Sequence, residues 1–210
     1  MTERTAIAIL ARAPFAGQAK TRLIPVLGAE GAAALQAKLI ERTVAMAVSA
    51  KIGPVTLWAT PDETHPLFGT MRERFGVSLA RQPGGDLGAR MHAAVEAAHS
   101  PVLVIGTDCP ALNAEHLRQA AKTLPDNDVV VIPAEDGGYV LIGLRRPQAE
   151  VFSDIVWGSA TVMDETRRKI RSLDLSCCEL PALWDVDTPR DLERLRNENL
   201  LRSLTGRPAG

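Results

Sequence analysis

The chain has 210 residues, 46% apolar and 23% charged, with a formal net charge of −1. That composition fits one globular domain of the larger kind, with ample apolar surface for a core. It excludes the strongly basic field that would draw nucleic acid or an anionic membrane, so any nucleotide must be held by a local cluster.

Ala6–Ala11 is a short apolar run that predicts a buried strand, broken into a loop by Pro14 and Gly17. Leu35, Leu39, Ile40, Val44, Ala47 and Val48 follow helical spacing and predict a helix over Ala29–Ser49. Val55–Ala59 reads as a second strand, Pro66–Phe75 as a short helix and Val77–Ala80 as a third strand. After the Gly84-Gly85 turn, Leu87–His99 is expected to be helical. Val102–Ile105 is a strand closed by Gly106, and Asn113 is a natural N-cap for a helix reaching about Leu124.

Val129–Ile132 and Tyr139–Leu144 read as strands joined by the polar turn Glu135–Gly138. Ser159 is expected to cap a helix through Ile170, and Leu173–Leu180 reads as a weaker strand. Thr188-Pro189-Arg190-Asp191 combines a capping residue, a proline at the first helical position and an acid at the third, so a last helix starts there. Strands alternating with helices predict a three-layer α/β/α, Rossmann-like domain with a mostly parallel sheet. Two strands joined by only a few residues cannot form a parallel crossover, so at least one strand runs antiparallel. The ordered core is expected over about residues 5–204, with a frayed tail from Thr205 to Gly210.

Cys109, Cys177 and Cys178 form neither a metal spacing nor an even framework, which points to a reducing, cytoplasmic setting. No signal peptide is apparent, and no run is expected to approach the ~20 apolar residues of a membrane span. His65, His92, His99 and His116 share no metal spacing. A homodimer is compatible with the sequence, but no exposed apolar stripe argues for it.

Charged signatures fall where strands should end, which is where open α/β sheets place ligands. In Gly17-Gln18-Ala19-Lys20-Thr21-Arg22, small residues let the backbone approach phosphates, while Lys20, Arg22 and Arg12 supply cations. A solvated basic loop would look the same, and the spacing rules out a P-loop. Asp108, placed after Val102–Gly106, suits a Mg²⁺ or Mn²⁺ ligand; it would equally cap the turn before Pro110. Asp185 and Asp187 flank Val186, so on an extended segment both carboxylates face one way. The same Asp-x-Asp-Thr-Pro is good turn chemistry.

Asp136, Gly137, Gly138 and Tyr139 are candidates for binding or deprotonating an acceptor, although Asp-Gly-Gly is also an ordinary hairpin turn. Asp86 and Arg90 stand at a helix start, a second place for an anion or acceptor. Trp157 offers either a stacking wall or a core side chain.

The ordered motifs APFAGQAKTRL, QPGGDLGARM, VLVIGTDCPAL, PAEDGGYVLIGL, the Trp157 segment and DVDTPRDL cover about Thr5 to Leu201. Through them the chain resembles the bacterial glycosyltransferase-A-like family described as a domain of unknown function (DUF2064). That family is related to 2-phospholactate and molybdenum-cofactor guanylyltransferases. The resemblance implies a nucleotide-diphospho-sugar transferase fold with a divalent metal. It makes Asp108 the metal-binding aspartate, Asp185 and Asp187 the second acidic cluster, and Lys20-Thr21-Arg22 the phosphate-binding element. The chain reads Leu10-Ala11-Arg12-Ala13-Pro14 where the molybdenum-cofactor enzymes open with Leu-x-Gly-Gly, and it carries the EDGGY turn. The acceptor pocket of those relatives is therefore a poor guide.

Three functions follow as expectations. The first is glycosyl transfer from a nucleotide sugar to a small acceptor, with Asp108, Asp136 and Lys20 as catalytic residues. The second is nucleotidyl transfer with release of pyrophosphate. The third is nucleotide binding without turnover.

Overall fold

The computed structural model describes residues 4–99 and 101–197. The expected core beyond residue 197 and the tail Thr205–Gly210 lie outside the described residues. One sheet is built from β1 (Ala6–Arg12), β2 (Val55–Thr60), β3 (Ser78–Arg81), β4 (Val102–Ile105), β5 (Val129–Pro133), β6 (Tyr139–Leu144) and β7 (Cys177–Glu179). Their order is β3-β2-β1-β4-β6-β5-β7. All neighbouring pairs are parallel except those that β6 makes with β4 and β5. The strand expected to run against the others is therefore β6, reached through the Glu135–Gly138 turn.

The helices are α1 (Ile24–Ala50), α2 (Pro66–Phe75), α3 (Leu87–Ala98), α4 (Ala114–Thr123), α5 (Val162–Ser172) and α6 (Pro189–Asn197). Successive strand residues face opposite sides of a sheet. Ile7 and Ile9 of β1 join Ile40 and Val44 of α1, Phe68 and Met71 of α2 and Leu117 of α4. Ala6 and Ala8 join Met91 and Val95 of α3 and Met163 and Ile170 of α5. Burial on both faces explains why β1 and β4 read as unbroken apolar runs rather than alternating ones. A smaller cluster packs Leu35 and Leu39 of α1 against Trp184, Val186, Leu192 and Leu195. Through it α6 anchors the Asp185–Asp187 segment, each buried leucine contributing roughly 1.5–3 kcal/mol.

Several boundaries differ from expectation for identifiable reasons. Pro25 starts α1 early, and Gly28 (φ 69°, ψ 167°) interrupts it, so Ala29 opens only the continuous part. Pairing of β3 runs from Ser78 to Arg81, one residue later than expected at both ends, and Val77 packs in the core just before it. The N-cap of α5 is Thr161, not Ser159; the Ser159 hydroxyl instead hydrogen-bonds that of Thr161 at 2.8 Å. The expected last strand shortens to Cys177–Glu179, because Leu173–Leu175 close the end of α5: Asp174 turns left-handed (φ 54°) and Leu175 N–H donates back to the Ile170 carbonyl at 3.2 Å.

Thr21–Ala50 is, by length and composition alone, apolar enough to cross a membrane, contrary to expectation. Its many alanines raise its hydropathy. In the fold, Leu39, Ile40, Val44 and Ala47 are buried, and α1 packs on the sheet and α4 as a core helix.

Candidate active site

β1 leads to β2 on one side while β4 lies on the other, so the chain opens a crevice at their carboxyl ends. The loop after β1 and the loop after β4 meet there. Lys20 adopts a left-handed backbone (φ 48°, ψ 46°), unusual for a residue with a side chain. That turn sends its side chain inward, leaving it 4% exposed. Its ammonium lies 2.9 Å from an Asp108 oxygen and donates to the Val186 carbonyl at 2.6 Å. The Val186 amide in turn donates to the Asp108 carbonyl at 2.8 Å. Lys20 thus ties the Asp108 loop to the Asp185–Asp187 segment. It was expected to face phosphate; the structure gives its ammonium two protein partners. Arg22 is 70% exposed and pairs with Asp187, itself 41% exposed.

Two cavities adjoin at these pairs. The smaller, about 370 Å³, is lined by Arg12, Gln18, Lys20, Thr21, Arg22, Gln36, Asp108 and Asp187, among others. Gly17 shapes its loop with a positive φ of 78° without lining the cavity. The larger, about 580 Å³, is lined by Asp108, Asp136, Asp185 and Asp187, with Gly138, Leu87, Tyr139, Trp157 and Val162 among the others.

Two glycines make that larger cavity. A side chain at Gly137 (φ 95°) would stand 2.1 Å from the Ala160 carbonyl, and the Gly137 carbonyl accepts from Met163 N–H at 2.8 Å. The acidic turn is thereby docked on the start of α5. A side chain at Gly88 would meet the Trp157 indole at 2.8 Å, so this glycine seats the tryptophan on α3.

Trp157 packs edge-on against Tyr139, with ring centroids 6.3 Å apart. The Tyr139 ring is a wall, but its hydroxyl turns to Met91 Sδ at 3.7 Å, and burial raises its pKa above the ordinary phenol value. Asp136 Oδ1 accepts from Gly138 N–H at 2.9 Å.

Burial, with the neighbouring charges of Asp136 and Asp108, raises the Asp185 carboxyl to about 6; Lys20 opposes the shift. Burial pushes the Cys109 thiol up to about 12, which leaves it inert at neutral pH. Among the described residues no three His, Cys, Asp or Glu side chains form a ready-made metal cluster. Asp108, Asp185 and Asp187 nevertheless line one cavity and offer only hard oxygen donors, which suits Mg²⁺ or Mn²⁺ with phosphate completing the shell.

Gly137, like Gly17, supports the site without lining either cavity, and two further candidates fall elsewhere. Asp86 caps α3, accepting from Ala89 N–H at 2.8 Å, and lines neither cavity. Arg90 sits one turn into α3, also outside both cavities. Conversely, Gln36 enters the site unannounced: it is buried on α1 and donates to Thr107 Oγ1 at 3.1 Å. An amide on a mostly apolar helix face is the signal that points to it. Ser159 and Ala160 line the larger cavity because the Gly137 contact holds their loop there.

The chain is 30% identical to a candidate nucleotide-diphospho-sugar transferase of Desulfovibrio desulfuricans G20, covering 96% of this chain and 95% of that one, with a TM-score of 0.85. It is 23% identical to 2-phospho-L-lactate guanylyltransferase of Methanococcoides burtonii over 84% of this chain and 78% of that protein. Rv0371c of Mycobacterium tuberculosis, solved as a complex with manganese, shares the fold at a TM-score of 0.54 and 16% identity, covering 91% of this chain and 97% of that one. These similarities span nearly all of the fold described above. The chain belongs to the family described as an uncharacterized protein conserved in bacteria (DUF2064), whose model matches residues 43–159.

Proposed function

We propose that the protein is a divalent-metal-dependent transferase that moves a sugar from a nucleotide sugar to a small acceptor. One observation carries this reading: a cation-lined cavity and a carboxylate- and aromatic-lined cavity share Asp108, Asp187 and Arg22. A diphosphate fits the first, an acceptor the second, and the transferred group the junction. The similarity to a nucleotide-diphospho-sugar transferase supports it.

Asp108 and Asp187, with Asp185 beside them, would hold Mg²⁺ or Mn²⁺. Bound there, the ion supplies charge neutralisation for the phosphates. Arg12 and Arg22 contribute hydrogen bonds to phosphate oxygens, and Lys20 keeps Asp108 in place. Asp136 accepts the proton of an acceptor hydroxyl as its oxygen bonds the anomeric carbon. The anomeric carbon–oxygen bond to phosphate breaks as the new bond forms, and its electron pair leaves with the nucleoside diphosphate. The free cysteines support a reducing, cytoplasmic setting.

A second reading, nucleotidyl transfer, is favoured by the guanylyltransferase similarity. Product analysis separates the two. The protein is incubated with Mn²⁺, nucleotide sugars or nucleoside triphosphates, and glycerol or water as acceptor. Nucleoside diphosphate release from a nucleotide sugar is expected. Pyrophosphate release from a triphosphate would replace the first reading by the second. Release of neither contradicts both.

A further inference from the structure

Four carboxylates, Asp108, Asp136, Asp185 and Asp187, line the larger cavity against one guanidinium, Arg22, which is itself paired with Asp187. Lys20 lines only the smaller cavity. The start of α5 borders the larger one, and helix N-termini favour anions. Here part of that end is already taken up. Thr161 N–H goes to Ser159 Oγ, Met163 N–H goes to the Gly137 carbonyl, and Asp164 and Glu165 occupy the first turn. The lining also has apolar and aromatic members: Leu87, 44% exposed, with Tyr139, Trp157 and Val162.

Resting on the transferase reading, we propose that the acceptor subsite takes a neutral or cationic molecule with an apolar face, an alcohol or amino alcohol, and rejects phosphorylated and carboxylated acceptors. Like charges at short range in a partly dry cavity repel strongly. A divalent ion with the phosphates it bridges brings no net positive charge, so donor binding leaves the imbalance standing.

Three probes of one shape test this: 2-phenylethylamine, 2-phenylethanol and phenylacetate. Each is titrated without nucleotide and with chelator, following the Trp157 indole N–H resonance, assigned with Trp157→Phe. The amine and the alcohol are expected to bind at least tenfold more tightly than the acid. Asp136→Asn, which keeps an acceptor for Gly138 N–H, should narrow the gap between amine and acid. An acid that binds as tightly as the alcohol overturns the proposal, as does failure of every probe to shift Trp157. Nucleotide binding is measured on the same protein preparation by calorimetry, with Mn²⁺ in place of the chelator. Its absence with the expected probe order sinks the transferase reading alone; its presence with a reversed order sinks this proposal alone.

Discussion

Over the loop after β1, cations meet carboxylates one to one: Lys20 holds Asp108, and Arg22 holds Asp187. Across the Asp108 loop, Asp136 and Asp185 make no ion pair among the described residues, and their mutual repulsion adds to burial in holding the Asp185 proton. The first cavity adds Arg12 to the Lys20–Asp108 and Arg22–Asp187 pairs and so carries surplus positive charge, and the second carries surplus negative charge. An arrangement of this kind suits a ligand of mixed charge, with cationic metal and anionic phosphate arriving together at the boundary.

Breaking the boundary should have the largest effect. Asp108→Ala is expected to lower turnover by about 100-fold or more, the scale of losing one preorganised charge, while circular dichroism shows a retained fold. Full activity in the folded variant would remove the boundary from the mechanism.

Lys20→Met strips the buried ammonium from Asp108 and from the Val186 carbonyl. Asp108 is 48% exposed, so the cost falls below that of a fully buried pair: about 2 kcal/mol in urea unfolding, together with weakened nucleotide binding. Unchanged stability would show that the tie between the two acidic loops is idle.

Asp185 sharpens the other side. Its carboxyl is raised above the ordinary value of 3.8, so between pH 4 and 6 the folded protein binds more protons than the unfolded chain. Stability therefore falls as pH rises through that window, and the full penalty stands above pH 6. Asp185→Asn should stabilise the metal-free protein by about 1 kcal/mol at pH 7, after allowance for its partial exposure, and by almost nothing at pH 4. An equal gain at both pH values would contradict the charge argument.

The smallest effect is expected at Arg22→Ala: under about 0.5 kcal/mol in stability, because the pair with Asp187 is exposed, yet a measurable loss of nucleotide affinity.

Much of this arrangement was legible in sequence. Apolar runs ending in Gly106-Thr107-Asp108 and the Asp185-Val186-Asp187 spacing located the carboxylates, because strand ends and the period of two are local properties. That a strand reverses followed from the shortness of the Glu135–Gly138 turn; that it is β6 shows only in the sheet pairing. What stayed hidden depends on distant contacts. Nothing near Lys20 shows that its ammonium bonds a carbonyl 166 residues away. Gly137 read as an acceptor-site or hairpin-turn glycine; that it and Gly88 seat the Trp157–Ala160 segment shows only in the fold. Asp86 read as a ligand candidate, whereas its local capping bond to Ala89 N–H occupies it.

Calorimetric titration of a nucleotide sugar and its parent nucleoside diphosphate, with Mn²⁺ and with chelator, into wild-type and Asp108→Ala protein tests the central claim most directly. Binding that requires the metal in wild type and is lost in the variant is the predicted result. Binding that survives both chelation and loss of Asp108, or no binding to the wild-type protein, would contradict the placement of phosphates and metal at the junction of the two cavities.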